Sequence, residues 1–219
     1  MTNCRLTDPE FERGVKDFLA VCNVVKVFRR TRILQIAPRP FDFWSTMCNE
    51  GELLEKFNIQ LSPIPLPELT AQVKKGQGRG HGSQGRDGLL QGKDERLCHR
   101  GAAGKHRRPE GAMRRLADQY GCNAVAIQCW NALQGELGIM PCAANSLLNE
   151  EGLPVVCETD IHGAITAVMA EAADLNRIPS FFADWTVRHP DNENGELLQH
   201  CGPLLPLRPA SSPPAAWSR

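Results

Sequence analysis

The sequence lacks the long apolar stretches that mark membrane spans and secretion signals. None of its apolar runs approaches the roughly 20 residues that a membrane-spanning helix needs. The N-terminal stretch MTNCRLTDPEFERG also has no apolar core of the secretory kind. These absences predict a cytoplasmic protein that has no membrane partner.

Paired cysteines of the CxxC kind are also missing, although the chain has nine cysteines. An odd number of scattered cysteines argues against a disulfide framework, and the lack of CxxC argues against a structural zinc site. Most of the cysteines are therefore predicted to be small buried apolar residues. The run GQGRGHGSQGRDG is not a phosphate-binding loop, because it lacks a preceding strand and the Lys-Ser/Thr pair.

The net charge of zero conceals a sharp local imbalance. Residues 75–111 carry nine Lys or Arg against four Asp or Glu, and they hold ten of the 19 glycines. The rest of the chain is acidic, and its 42% hydrophobic content overall fits a globular core. Such a Gly-rich basic segment buries too little apolar area to offset its ordering entropy. We therefore expect residues 75–111 to be disordered or poorly packed, and one face of the sheet to be exposed there.

Two interpretations of this basic segment stay open. One is a linker that contacts nucleic acid electrostatically, although nothing in it predicts a specific nucleic-acid partner. The other is an out-of-frame translation. Codons compatible with residues 76–96, read one base later, give a helix-forming string of ordinary charge, and the original frame resumes at Gly111. The Pro-rich tail at 204–219 is a second candidate for a change of frame.

Elsewhere, strand-like and helix-like segments alternate, which predicts an α/β fold with a parallel sheet and helices on both faces. The predicted strands are Arg32–Ile36, Ile59–Ile64, Ala124–Gln128, Pro154–Cys157 and Ser180–Ala183. The predicted helices cover 10–30, 50–57, 66–74, 113–120, 141–150 and 161–175. Right-handed crossovers place the carboxyl ends of all strands at one edge, where sites form in such folds.

Three polar side chains follow predicted strand ends, namely Gln128, Glu158 and Asp184. Carboxylates at such an edge serve as metal ligands and acid/base groups in α/β enzymes, although surface carboxylates are an equal alternative on the pattern alone. Asp160 is either a site residue or the cap of the helix that starts at Ile161. Trp130 either lines a sugar pocket or belongs to the core.

Three blocks of the chain resemble the L-fucose isomerase and L-arabinose isomerase superfamily, and more narrowly its fucose-isomerase-like members. These blocks are RILQIAPRPFDFWSTMCNEGELLEKF, CNAVAIQCWNALQGELGIMPCAANSLLNEEGLPVVCETDIHGA and FFADWTVRHPDNENGELLQHCGP. The resemblance covers residues 1–74 and 112–203. It implies that residues 1–178 form the family's second, α/β domain and that 179–219 are the truncated start of a β-rich C-terminal domain. The intact family forms homo-oligomers.

The resemblance also implies a metal-dependent isomerase that interconverts an aldose and a ketose of the fucose or arabinose type through an enediol. It makes Glu158 a metal ligand and the base, Asp184 a ligand and its acid/base partner, and His200 a further ligand. Mn²⁺ is the expected metal, since hard cations prefer carboxylate oxygen with some imidazole. Gln128, Trp130 and Asp160 would bind the sugar.

A further ligand histidine of the family would lie beyond Arg219, so impaired catalysis is expected. The alternative is an inactive remnant that binds sugar or metal, or joins an oligomer, without turnover.

Overall fold

A four-stranded parallel sheet forms the centre of the chain. The computed structural model describes residues 4–76, 100–175 and 178–199. Within these ranges the sheet has the order β2-β1-β3-β4 and every pairing in it is parallel. A separate antiparallel pair, β5-β6, follows it. The strands are β1 (Arg32–Ile36), β2 (Gln60–Ile64), β3 (Ala124–Ile127), β4 (Val155–Val156), β5 (Asp184–Arg188) and β6 (Glu196–Gln199).

Helices cover both faces of the sheet, which confirms the predicted α/β class. They are α1 (Pro9–Phe28), α2 (Glu50–Phe57), α3 (Leu66–Gly76), α4 (Arg100–Tyr120), α5 (Ala132–Leu137), α6 (Cys142–Glu150) and α7 (Ile161–Ala173), with a 3₁₀ turn at Trp44–Thr46. Local chemistry marks their ends. The Asn49 side chain accepts the N–H of Glu52 at the start of α2, and Asn58 ends that helix in the left-handed conformation. In the described part of the chain, no helix has the length and apolar character to cross a membrane.

Alternate strand residues face two separate cores, as the pleat of a strand requires. On one face, Leu34 packs in a cluster with side chains of α3, α4, α5 and α6. On the other face, Ile33 packs with side chains of α2 and α7. The second face of β3 carries only Ala124 and Ala126, and these small residues let the Ala-rich side of α7 approach closely.

The prediction of a fifth parallel strand at Ser180–Ala183 is wrong. This segment is irregular, and β5 starts only at Asp184, in the antiparallel pair. Side chains, rather than a neighbouring strand, satisfy the backbone at Ser180. Its N–H donates to Glu171 Oε1 at 3.0 Å, and its carbonyl accepts from Asn149 Nδ2 at 3.3 Å. Apolar residues thus follow α7 without extending the sheet.

The helix predicted from Met113 begins earlier, at Arg100. The helix thus covers residues 100–111 at the end of the basic segment, while residues 77–99 of that segment lie outside the described residues, so the expected disorder of 75–111 stays a prediction. Part of the reason is apolar anchoring. Pro109 is buried, and the following turns place Met113 and Leu116 in the core at 0% exposure. The described face of the sheet next to α4 is covered rather than open.

Glu171 is a buried carboxylate that should make stability depend on pH. It is 6% exposed, and burial raises its pKa although the Ser180 N–H and hydroxyl both donate to Oε1. A raised folded-state pKa means that the folded chain holds this proton more tightly than the unfolded chain does. The charged form therefore opposes folding as the pH rises above the ordinary Glu value of 4.5.

We expect Glu171→Gln to flatten this dependence, because Gln keeps the acceptor oxygen and has no charge to bury. Urea denaturation of wild type and variant between about pH 4 and about pH 8 tests it. The free energy of unfolding of wild type should fall relative to that of the variant as the pH rises. Exposed Glu55→Gln serves as the control, and parallel curves for wild type and Glu171→Gln would contradict the assignment.

Candidate active site

The segments that leave the central strands are joined by hydrogen bonds at one edge of the sheet. Gln128 N–H donates to the Ile36 carbonyl at 3.0 Å, and Thr159 N–H donates to the Ile127 carbonyl at 3.1 Å. Each exit from a strand is thus bonded to the last residue of its neighbour. The backbone around Glu158 is tied to the sheet rather than free as a surface loop.

Glu158 sits in a strained turn directly after β4. Its φ is 54° and that of Thr159 is 53°, so two successive non-glycine residues adopt the left-handed conformation. The Thr159 hydroxyl donates to the Pro38 carbonyl at 3.2 Å, and Asp160 N–H donates to the Cys157 carbonyl at 3.1 Å. Such strain persists only where the surroundings enforce it, and it concentrates at functional sites. The turn places the carboxylate at the sheet edge with only 7% of the residue exposed.

Two buried thiols accompany this carboxylate. Cys129 Sγ donates to Glu158 Oε1 at 3.2 Å, and Asn145 Nδ2 donates to Cys157 Sγ at 3.5 Å. The hydrogen bond with Cys129, together with burial, raises the pKa of the Cys157 thiol well above its usual range. Among the described residues, one group of three metal-ligating side chains has all its ligand atoms within 4.8 Å of one another, and it consists of Cys129, Cys157 and Glu158.

Sequence reasoning missed the two thiols as site residues. They lie 28 positions apart and come together only because β3 and β4 are neighbours. Both follow strand ends, which is the one signal that could have found them. The broader prediction for cysteines holds only in part. Of the described cysteines, Cys122, Cys129 and Cys157 are buried, whereas Cys22 is exposed.

Asp160 caps α7, as the alternative interpretation predicted. Its Oδ1 accepts the N–H of Gly163 at 2.9 Å. Gly163 has no room for a side chain, since a Cβ there would lie 2.7 Å from Asp160 Oδ2 and 2.8 Å from the Phe182 ring. A role for Asp160 in sugar binding stays a prediction.

Aromatic side chains border the same edge. Trp130 is 43% exposed, so it belongs to the rim and not to the core. Its ring lies 6.4 Å from that of Phe43, in the loop between β1 and α2. Half-buried Gln128 precedes Trp130 by two residues. In the same loop, the Arg39 guanidinium lies 4.9 Å from the centre of the Trp44 ring. An aromatic rim with one cation therefore flanks the carboxylate.

Asp184 does not join Glu158 in the part of the chain that the structure describes. Asp184 is exposed at the first position of β5 and lies outside the group of ligands around Glu158. Phe182, two residues before it, lies against Gly163 at the start of α7, so the chain reaches Asp184 from the α7 side. His200 lies outside the described residues. Their predicted roles as metal ligands stay predictions.

Comparison with known proteins points to sugar isomerases, although no protein-family model matches the chain. A sulfoquinovose isomerase of Alkalicoccus urumqiensis is 27% identical over 187 residues, which cover 83% of this chain and 40% of that protein. One from Priestia aryabhattai is 26% identical over 195 residues, again covering 83% and 40%. One from Clostridium sp. (strain MSTE9) is 24% identical over 209 residues, covering 89% and 43%. These relatives bear out a resemblance to sugar isomerases but not to the fucose and arabinose branch in particular. The chain is similar over most of its length to sugar isomerases, and it spans about 40% of the length of the curated relatives that it matches.

Proposed function

We propose that this chain carries part of the active site of an aldose–ketose isomerase, with Glu158 as the base. The supporting observation is the buried Glu158 carboxylate, held in a strained turn at the carboxyl edge of a parallel sheet. The similarity to proteins named as sugar isomerases supports aldose–ketose isomerisation as the reaction in which this carboxylate takes part. The activity belongs to a longer protein in those relatives, so it is a proposal for this chain.

The chemistry of Glu158 follows from its surroundings. The carboxylate takes the proton from C2 of the aldose while the C1 oxygen gains one, which gives an enediol. Return of the proton to C1, with loss of the proton from O2, gives the ketose. The carboxylic acid must keep the proton between these two steps, and its side chain must stay in position. The Cys129 thiol, which donates to Oε1, orients the carboxylate, and the bonds of Thr159 fix the backbone.

Mn²⁺ stays a prediction, because the described side chains do not supply a full set of ligands for it. The donors around Glu158 are two thiols and one carboxylate, whereas Mn²⁺ prefers oxygen and imidazole ligands. The gathered set therefore does not fit Mn²⁺, and we assign no step of the reaction to the metal. Asp184, which the resemblance implies as a further ligand, is not in this group, and His200 lies outside the described residues.

Arg39 favours an anionic sugar over the neutral sugars of the fucose and arabinose type. It is the only Lys or Arg in the segments that follow β1, β3 and β4, at 37–49, 128–131 and 157–160. Its Nη1 donates to the carbonyls of Pro40 and Phe41 at 3.2 and 3.0 Å. Among the described residues, no carboxylate pairs with it. A fixed guanidinium without a counter-ion suits a sulfonate or a similar anion.

The relatives are named for sulfoquinovose, a sugar with a sulfonate at C6. We therefore propose that the substrate is a sulfonated hexose, and that Arg39 binds its sulfonate. Acidic Glu158 and Asp160 would otherwise repel such a substrate from this edge. The homo-oligomer that the resemblance implies is also part of the proposal.

The test incubates the chain in D₂O with sulfoquinovose and with quinovose, which has the same ring without the sulfonate. L-Fucose and D-arabinose are included, each with added Mn²⁺ or with EDTA. NMR should show a ketose with deuterium at C1 from the sulfonated sugar. Arg39→Gln should lower kcat/KM for that sugar about 10- to 100-fold, the worth of a hydrogen bond to a charged group.

Arg39→Lys and the exposed control Arg29→Gln complete this set. Lys should retain part of the preference because it keeps the charge, and the control should behave as wild type. Deuterium incorporation from none of the sugars would overturn the proposed isomerase. Equal conversion of sulfonated and neutral sugars, unchanged in Arg39→Gln, would overturn the anionic substrate alone.

A further inference from the structure

The buried group around Glu158 has a composition that the isomerase reaction does not require. Proton transfer needs the carboxylate, yet two thiols share its pocket. Cys157 is 0% exposed, Cys129 is 3% exposed and Glu158 is 7% exposed. Their ligand atoms lie within 4.8 Å of one another, and Cys129 Sγ lies 3.2 Å from Glu158 Oε1.

We propose that Cys129, Cys157 and Glu158 form a binding site for a thiophilic divalent cation such as Zn²⁺ or Cd²⁺. Two thiolates and a carboxylate are donors that Zn²⁺ takes, with bonds of about 2.3 Å to sulfur and about 2.0–2.2 Å to oxygen. Sulfur atoms around a tetrahedral ion of that size lie closer together than 4.8 Å. The side chains therefore need only small shifts to close on the cation.

A buried amide supplies an independent indication. Asn145 is 0% exposed, and its Oδ1 has no hydrogen-bond partner among the described residues. The nitrogen of the same amide lies 3.5 Å from Cys157 Sγ, so the unpaired oxygen borders the thiol cluster. Buried polar atoms nearly always have a hydrogen-bond partner, so an atom without one indicates that an ion or a water molecule binds there. A cation held by the two thiolates gives this oxygen one, and the amide becomes the fourth donor.

The site and the proposed base use the same carboxylate. A cation bound to both thiolates and to Glu158 removes the proton acceptor from the sheet edge, so the loaded chain is inhibited. This consequence rests on the proposed function, whereas the binding site itself does not. Two thiols must lose their protons when the cation binds, so two protons are released for each cation.

The test titrates the reduced chain with Cd²⁺ and follows the ultraviolet charge-transfer band between thiolate and cadmium. We expect saturation at one Cd²⁺ per chain with release of two protons in weakly buffered solution. Cys129→Ser and Cys157→Ser should each raise the Kd for Cd²⁺ by at least about tenfold. Even the loss of a residue that only hydrogen-bonds to a metal ligand usually weakens metal binding by about 10- to 100-fold. The ¹¹³Cd chemical shift of the wild-type chain reports two thiolate ligands without any substitution.

Cys122→Ser and Cys22→Ser are the matched controls, at a buried thiol outside the cluster and at an exposed thiol. Both should bind Cd²⁺ as wild type does. The site is refuted if the band persists unchanged in the Cys129 and Cys157 variants, if either control loses it to the same extent, or if the ¹¹³Cd shift shows one thiolate or none. If Cd²⁺ binds as expected but leaves sugar conversion unaffected, the site stands and the role of Glu158 as base fails.

Discussion

Replacing Glu158 with Gln should lower the rate of aldose–ketose interconversion by about 10² to 10⁴-fold, the usual contribution of a positioned acid/base group. Gln has the same length, and its oxygen can still accept the Cys129 thiol that bonds to Glu158 Oε1 in the native chain. The amide, however, does not take up a proton at neutral pH. The loss should therefore fall on kcat, while binding of the sugar changes little.

Deuterium exchange at C2 of the aldose is the most direct measurement of this step. It should disappear in Glu158→Gln together with turnover, because both require proton removal. Glu55→Gln, an exposed carboxylate in α2, is the matched control and should exchange as wild type does. Wild-type exchange rates in Glu158→Gln would assign the base to another residue. Equal far-ultraviolet circular dichroism of the variants excludes unfolding as the cause of a loss.

Replacing Leu116 with Ala should destabilise the fold by about 2–5 kcal/mol, the range for truncating a fully buried leucine. Leu116 is 0% exposed and belongs to the core between α4 and the sheet. Small domains have only about 5–15 kcal/mol of stability in total. The variant should therefore unfold at much lower urea concentration than wild type.

The matched control is Leu54→Ala, at a leucine in α2 that is 52% exposed. That substitution should change the free energy of unfolding by no more than about 0.5 kcal/mol, as surface changes usually do. Urea denaturation followed by circular dichroism compares the two. Equal urea midpoints for the Leu116→Ala and Leu54→Ala variants would mean that α4 does not cover the sheet. That result would agree with the expectation from the sequence that this face of the sheet is exposed.

The parallel sheet could be read from the sequence because each strand is short, apolar and bounded by turn residues. Arg32–Ile36 matches β1 residue for residue, and Glu50–Phe57 matches α2. The failure at Ser180–Ala183 has a physical cause. An apolar run predicts burial, but only hydrogen-bond partners make a strand. At Ser180 those partners are the side chains of Glu171 and Asn149.

The sequence predicted only the part of the candidate active site that a single residue, Glu158, reveals by its own position. Glu158 stands at a strand exit, and its position is visible in the sequence. Its neighbours Cys129 and Cys157 are not, because their approach depends on β3 and β4 being adjacent. The lack of CxxC pairs argues against a metal site built from neighbouring cysteines, but spacing along the chain says nothing about thiols that are brought together across a sheet. The left-handed turn at Glu158 was also invisible, since Glu and Thr show no preference for that conformation.

The left-handed turn at Glu158 and Thr159 lowers the stability of the fold, although it positions the candidate base. Backbone strain of this kind costs on the order of 1–3 kcal/mol per residue. Glycine or asparagine at position 158 would relieve it, because both tolerate a φ of 54°. Selection for thermal stability alone would thus replace the candidate base before most other residues. A stabilised version of this fold, obtained without a screen for activity, would tend to be an inert scaffold.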